Sequence, residues 1–137
     1  MTKTHPKPKK PKISTLDKKL WKIFSEYIRK RDRIQDDACK CISCGAIKHW
    51  KEMHAGHFIG RRHLGTKYDE KNVHAQCCSC NTYGEGEQYN YGLNLIKKYS
   101  PGVIFELEVK KKLNPKKDWT WYVEMIEVYK DKLKGMK

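Results

Sequence analysis

The sequence predicts a small α+β protein with a metal-held core of short strands, one helix before that core and about three helices after it. Three observations lead there. Cys41-Ile42-Ser43-Cys44 and Cys77-Cys78-Ser79-Cys80 form two C-x-x-C knuckles separated by residues 45–76, and such a pair lets four thiolates converge on one tetrahedral Zn²⁺. The stretch between the knuckles is poor in large aliphatic side chains, so a structural ion has to supply stability that packing there does not. Amphipathic patterns of helical period stand on both sides of it.

Taken in order, residues 1–13 open with MTKTHPKPKKPK, lysines and prolines with almost no apolar side chain, and read as a disordered basic arm. Residues 14–137 read as a single domain. Its first helix runs from Ser14 to about Arg33, with Leu16, Leu20, Ile23, Phe24, Tyr27 and Ile28 as the apolar stripe and Ser14 with Asp17 as a capping box. Arg29, Lys30, Arg31 and Arg33 crowd its end, where cations suit the helix dipole and can also meet DNA. The metal-held core spans 38–90. Within it His49 to Ile59 forms a strand or a hairpin around Gly56, and 60–71 is a basic loop. Residues 72–76 lead into the second knuckle, and a helix starts near Cys80. After a turn at 83–86, helices follow at Glu87–Tyr99, Val103–Leu113 and Thr120–Lys134, within 87–135. The second of these also alternates like a strand in VIFELEV. The last is expected to bury Trp121, Met125, Val128, Tyr129 and Leu133, with Trp119 and Trp121 in the core rather than under a base.

The chain has 137 residues and a formal net charge of +14. Such a balance favours nucleic acid or an anionic surface, and cations spread along the whole length suit a DNA-binding surface better than one basic tail would. No apolar run is long enough to span a bilayer, and the N-terminus lacks the apolar segment of a secretory signal. A cytoplasmic location is therefore expected, where paired C-x-x-C motifs hold metal rather than form disulfides. Cys39 and Cys78 fall outside both frames and read as free thiols, with Cys39 as a substitute for Cys41 in a misassigned site.

Between the knuckles lie groups suited to phosphodiester hydrolysis. That reaction needs a base that is neutral near pH 7, which histidine supplies. It also needs a divalent cation and basic side chains to balance charge on the phosphate oxygens. The chain offers His57 as base, Asn81 as an oxygen ligand, and Arg61, Arg62 and Lys67 as phosphate contacts. Each has a plainer alternative: His57 bonding a loop, Asn81 capping a helix, Arg61 and Arg62 on a solvated loop.

His57, Asn72 five residues before Cys77, and Asn81 directly after Cys80 resemble the HNH endonuclease motif. The likeness is closer still to the phage NinG, or lambda Rap, family of Holliday-junction nucleases. It rests on CISCG at 41–45, AGHF at 55–58, the run Asp69 to Cys77, and Cys80-Asn81, and it covers about residues 20–135. The resemblance implies a zinc-stabilised treble-clef ββα-metal finger with Cys41, Cys44, Cys77 and Cys80 on a structural Zn²⁺. It implies His57 as general base, Asn72 as the residue that pins the histidine strand, and Asn81 as ligand of a catalytic divalent metal, Mg²⁺ or Mn²⁺. Many HNH enzymes carry an acidic ligand immediately before the base, where this chain has Gly56. His54 is the nearest replacement and His74 the alternative. An offset of three puts His54 and His57 on opposite faces of a regular strand, and a bulge at Gly56 could bring them together.

The expected function is a metal-dependent endonuclease cutting branched DNA, such as Holliday junctions and D-loops, in phage recombination. The alternatives are a non-catalytic zinc module that binds DNA and an HNH nuclease that nicks ordinary duplex. Symmetric resolution of a four-way junction needs two sites, so a homodimer joined through the terminal helices is expected.

Overall fold

The computed structural model describes residues 10–85, 87–113 and 115–136; residues 1–9 of the expected basic arm and Gly86 of the expected turn lie outside them. Helix α1, Ile13–Arg31, is followed by β1, Arg33–Gln35, β2, Ala38–Lys40, and β3, Ile47–His49. A 3-10 turn, Trp50–Glu52, leads to β4, Met53–His57. Then come the short α2, Leu64–Lys67, β5, Val73–Cys77, and one wide helical turn, Ser79–Tyr83. Helices α3, Gln88–Lys98, α4, Val103–Lys112, and α5, Trp119–Lys134, close the chain. The strands form an antiparallel three-stranded sheet, β1-β2-β3, and an antiparallel ribbon, β4-β5.

The apolar stripe of α1 folds as its period dictates. Leu16, Leu20, Phe24 and Ile28 are buried at a four-residue step against α5, with Ile23 and Tyr27 partly covered beside them. The capping box does not form. Lys12 is the N-cap without a side-chain bond, because Asp17 already lies inside the helix wall and instead accepts from Lys67 Nζ and Tyr68 Oη, both at 2.7 Å. Helix α5 is capped by Asp118, whose carboxylate accepts from Trp121 N. Its buried face is Tyr122, Ile126 and Tyr129. The expected Val128 is 42% exposed, since the tyrosines face α1 and Tyr129 donates to Glu70 on the loop before β5. Trp119 and Trp121 pack at the margin of this core. Helices α1 and α5 cover each other along these buried faces.

Three small cores result. The α1–α5 core takes Ala55 and Val73 from the ribbon; the cysteine core takes Met53, Ala75 and Cys77; a third joins Ile59 to α3 and α4. The ribbon is thus the hub of the fold. Residues 72–76, read as a lead-in, form most of β5, all of whose residues are buried. A strand covered on both sides loses the alternation that marks one. Val103–Lys112 is helical despite its alternating start, burying Val103 and Leu107 four apart.

Candidate functional site

The four knuckle cysteines come together first. The Sγ atoms of Cys41, Cys44, Cys77 and Cys80 all lie within 4.8 Å of one another, with Cys44 and Cys77 3.7 Å apart. Four sulfurs about 2.3 Å from a tetrahedral Zn²⁺ stand about 3.8 Å from each other, so the cluster fits that ion. The first knuckle is built by backbone. Cys44 N points at Cys41 Sγ, and Gly45, at φ 79°, turns the chain so that its N–H reaches Cys41 O. Burial opposes ionisation of the Cys41 thiol, but backbone amides of Cys44, Cys77 and Ser43 outweigh it and hold its pKa below the ordinary value. Cys39 lies apart, its thiol on Arg29 O, and Cys78 contacts Thr82.

Beside the cluster a cavity of about 530 Å³ runs along β4. It is lined by Met53, His54, Ala55 and His57 of that strand and by no residue of β5, so it follows the edge of β4 that β5 leaves unpaired. This resolves the offset of His54 and His57. The expected bulge is absent, for β4 and β5 pair in unbroken register from Met53↔Cys77 to His57↔Val73. Side chains from both faces of an edge strand reach one cavity that lies on the edge. A Cβ on Gly56 would run into the side chain of Gln76, so that position has no room for an acid.

His57 Nε2 lies 3.0 Å from Lys67 O. A carbonyl only accepts, so Nε2 carries the proton and Nδ1 is the acceptor in the neutral ring. The ring stacks on Trp21 of α1 at 4.8 Å and 21°. Burial pushes its pKa down to about 4, opposed by the Lys67 carbonyl and reinforced by the charges of Lys67 and Arg61. Asn72, fully buried, fixes the loop that presents this carbonyl. Its Oδ1 accepts from Ile59 N at 2.8 Å, and its Nδ2 donates to Ile59 O and Thr66 O. Asn81 sits on the wide turn after the second knuckle, its Nδ2 3.0 Å from His54 Nδ1. That one turn, closed by Gly84 N on Ser79 O, is the helix expected near Cys80 and runs only from Ser79 to Tyr83.

The structure does not bring His74 here. It is buried on β5, its Nε2 2.7 Å from Tyr99 Oη and its Nδ1 3.3 Å from Tyr91 Oη, whose own proton goes to Gly56 O. Arg61 lines the cavity; Arg62 is exposed on the same loop. Lys67 is already paired with Asp17 at 2.7 Å, which leaves it a poorer phosphate contact than the sequence suggested. Arg31 is likewise structural, clamping Asp32, Glu70 O and Val73 O. The cavity also takes residues that the sequence reading did not assign to it: Trp21, Ser25 and Arg29 from α1, and Lys51. The signal for the three on α1 was a four-residue step beside the apolar stripe. No described residue lining the cavity carries a carboxylate.

The family model described as Bacteriophage Lambda NinG protein matches residues 2–137. The chain belongs to the NinG family. It is 30% identical to Protein ninG of Escherichia phage 933W over 92 residues, 66% of this chain and 43% of that protein. Against Protein ninG of Salmonella phage P22 it is 28% identical over 125 residues, 88% of this chain and 57% of that protein. Protein ninG of Escherichia phage lambda is 29% identical over 92 residues. The chain thus spans about half the length of these curated NinG relatives. No solved structure matches it. Among the described residues, no helix is long and apolar enough to cross a membrane.

Proposed function

We propose that this NinG-family chain is a metal-dependent endodeoxyribonuclease of the HNH type that acts on branched DNA, Holliday junctions and D-loops among them, during phage recombination in the host cytoplasm. The observation that carries the reading is the cavity on the edge of β4, where a neutral histidine with an acceptor nitrogen stands among His54, Asn81 and Arg61. In this reading His57 Nδ1 takes the proton of a water attacking the phosphorus in line. Arg61, with Arg29 and Lys51, balances charge on the non-bridging oxygens. Asn72 acts as a positioning residue, holding the loop whose Lys67 carbonyl sets the His57 tautomer. A pKa near 4 keeps His57 unprotonated but makes it a weak base; an entering phosphate, being negative, raises it toward the working range.

His54 and Asn81 are the residues that would hold the divalent ion. When bound, it stabilises the charge that develops on the leaving 3′ oxygen. One imidazole and one amide without a carboxylate suit Mn²⁺ better than Mg²⁺, which favours oxygen donors. The absent carboxylate also favours a second reading, a zinc-containing module that binds DNA without cutting it.

The deciding experiment compares a four-way junction with a linear duplex of the same sequence, with Mn²⁺, with Mg²⁺ and with no added divalent ion. Wild type, His57→Ala and Asn81→Ala are run side by side. Ion-dependent junction cutting lost in both variants supports the nuclease; unchanged cutting in both sinks it. Tight binding without cutting in any ion leaves the binding module, and equal cutting of duplex removes the branch preference. We also propose a homodimer, since two symmetric cuts need two sites; a monomer in sedimentation on a bound junction removes that part.

A further inference from the structure

We infer that one face of α1 is the wall along which a DNA strand lies, running from the His57 cavity into a second basic cavity. The inference rests on the nuclease reading for what the strand meets at His57; the wall itself is argued from shape and charge. The second cavity, about 360 Å³, is lined by Asp17, Lys18, Trp21, Arg61, Arg62 and Lys67. Trp21 and Arg61 line both cavities, so the two meet there.

Helix α1 forms the common side of this track. Lys18, Trp21, Ser25 and Arg29 are spaced by three, four and four residues, which sets them on one helix face. That face lies beside the buried stripe of Leu16, Leu20, Phe24 and Ile28. The eleven residue steps from Lys18 to Arg29 span about 16 Å, the axial rise of roughly five nucleotides on one strand of B-DNA. Cations recur along the whole length: Arg29 and Lys51 at one end, Arg61 in the middle, Lys18 and Arg62 at the other. The one carboxylate, Asp17, is already neutralised by Lys67. A row of spaced cations fits a polymer with repeating negative charge better than a single carboxylate or a small anion. Trp21 gives its ring to His57, so it serves as a rigid divider and not as a base-stacking platform. Recognition along this wall is therefore through phosphates and independent of sequence.

The test is fluorescence anisotropy of a labelled four-way junction, across a salt series, with no added divalent ion. Lys18→Ala with Arg62→Ala removes two charges from the second cavity. Lys19→Ala with Lys134→Ala removes two exposed charges that line neither cavity. Thermal melts of both pairs should match wild type. The first pair should weaken binding about tenfold and reduce the log–log salt slope by about 1–2, against little change for the second. Equal weakening by both pairs, or none by either, overturns the wall and reduces the effect to net charge. A parallel arm with wild type and Mn²⁺ separates the two ideas. Selective loss of binding without any cutting keeps the wall and removes the nuclease; cutting with equal binding keeps the nuclease and removes the wall.

Discussion

On the two sides of the β4–β5 ribbon stand two histidines one register step apart, for His57 pairs with Val73 and His74 with Gly56. Burial pushes the pKa of both down, to about 4 for His57 and to about 3 for His74. Their surroundings differ in what is left over. Around His74 the hydroxyls of Tyr99 and Tyr91 engage both ring nitrogens, and Tyr91 passes its proton on to Gly56 O. Around His57 one nitrogen is tied to the Lys67 carbonyl while the ring lines an open cavity with Arg61. A depressed pKa therefore marks both, and only the available lone pair separates a candidate base from a core histidine.

The largest expected effect breaks both sides at once. Cys77 ends β5 directly opposite Met53, the first residue of β4, so the ribbon is held by the cysteine cluster. Stripping the cysteine cluster with a chelator, or replacing Cys41 and Cys80 by serine, should abolish the cooperative thermal transition. Structural zinc sites contribute roughly 10–16 kcal/mol in small peptides. The check is metal content against melting; a stripped protein that melts like the loaded one would show that the cluster holds no structural ion.

The next pair tests the asymmetry itself. His57→Ala removes one hydrogen bond and one stacked ring beside an open cavity; it should lower the melt less than His74→Ala and slow cutting by about 10²–10⁴-fold, the usual worth of a general base. His74→Ala should do the reverse. It strips a partner from two tyrosine hydroxyls in a buried site at about 1–3 kcal/mol each, while the folded fraction keeps its cutting rate. Melting temperature and single-turnover cleavage measured together decide it; the opposite pattern would exchange the roles of the two histidines. Smaller again is Gly56→Ala. Its new Cβ meets Gln76, and crowding of that kind costs about 1–3 kcal/mol. Gly56→Asp should carry at least the same cost and bring no gain in cutting, since Gln76 fills the space its side chain would need.

How legible all this was depends on what the sequence encodes by spacing. The cysteine cluster was legible because two C-x-x-C pairs fix their own geometry, and α1, α3 and α5 were legible because burial on one side leaves a helical period, whereas the pattern of α4 fitted a strand as well as a helix. Strand β5 was not, since Val73 to Cys77 is buried throughout and shows no alternation. Nor was the company of His54 and His57: face-counting forbids it in a regular strand, whereas an unpaired edge permits it. The α1 side of the cavity was hidden in a second stripe beside a stronger apolar one, and Asp17 was read as a cap because its partners, Lys67 and Tyr68, are distant in sequence.

The finest distinction between the two sides is their response to acid. An unfolded histidine titrates near 6.5, above the folded values of about 4 and about 3. Across that interval the unfolded chain binds more protons than the folded one, so stability rises with pH. This contribution is fully present above about pH 6.5 and fades as pH falls, ending near pH 4 for His57 and near pH 3 for His74. Each proton contributes at most about 1.4 kcal/mol per pH unit. Acid also protonates thiolates that hold a metal ion and releases the ion, so with a loaded cysteine cluster the wild-type slope alone does not isolate the histidines. The difference between wild type and each single variant, His57→Asn or His74→Asn, does. Urea midpoints between about pH 7 and pH 5 should flatten by one proton's worth in either variant. Slopes equal to wild type in both would mean that neither ring is held neutral by its burial, and the comparison would then rest on hydrogen bonding alone.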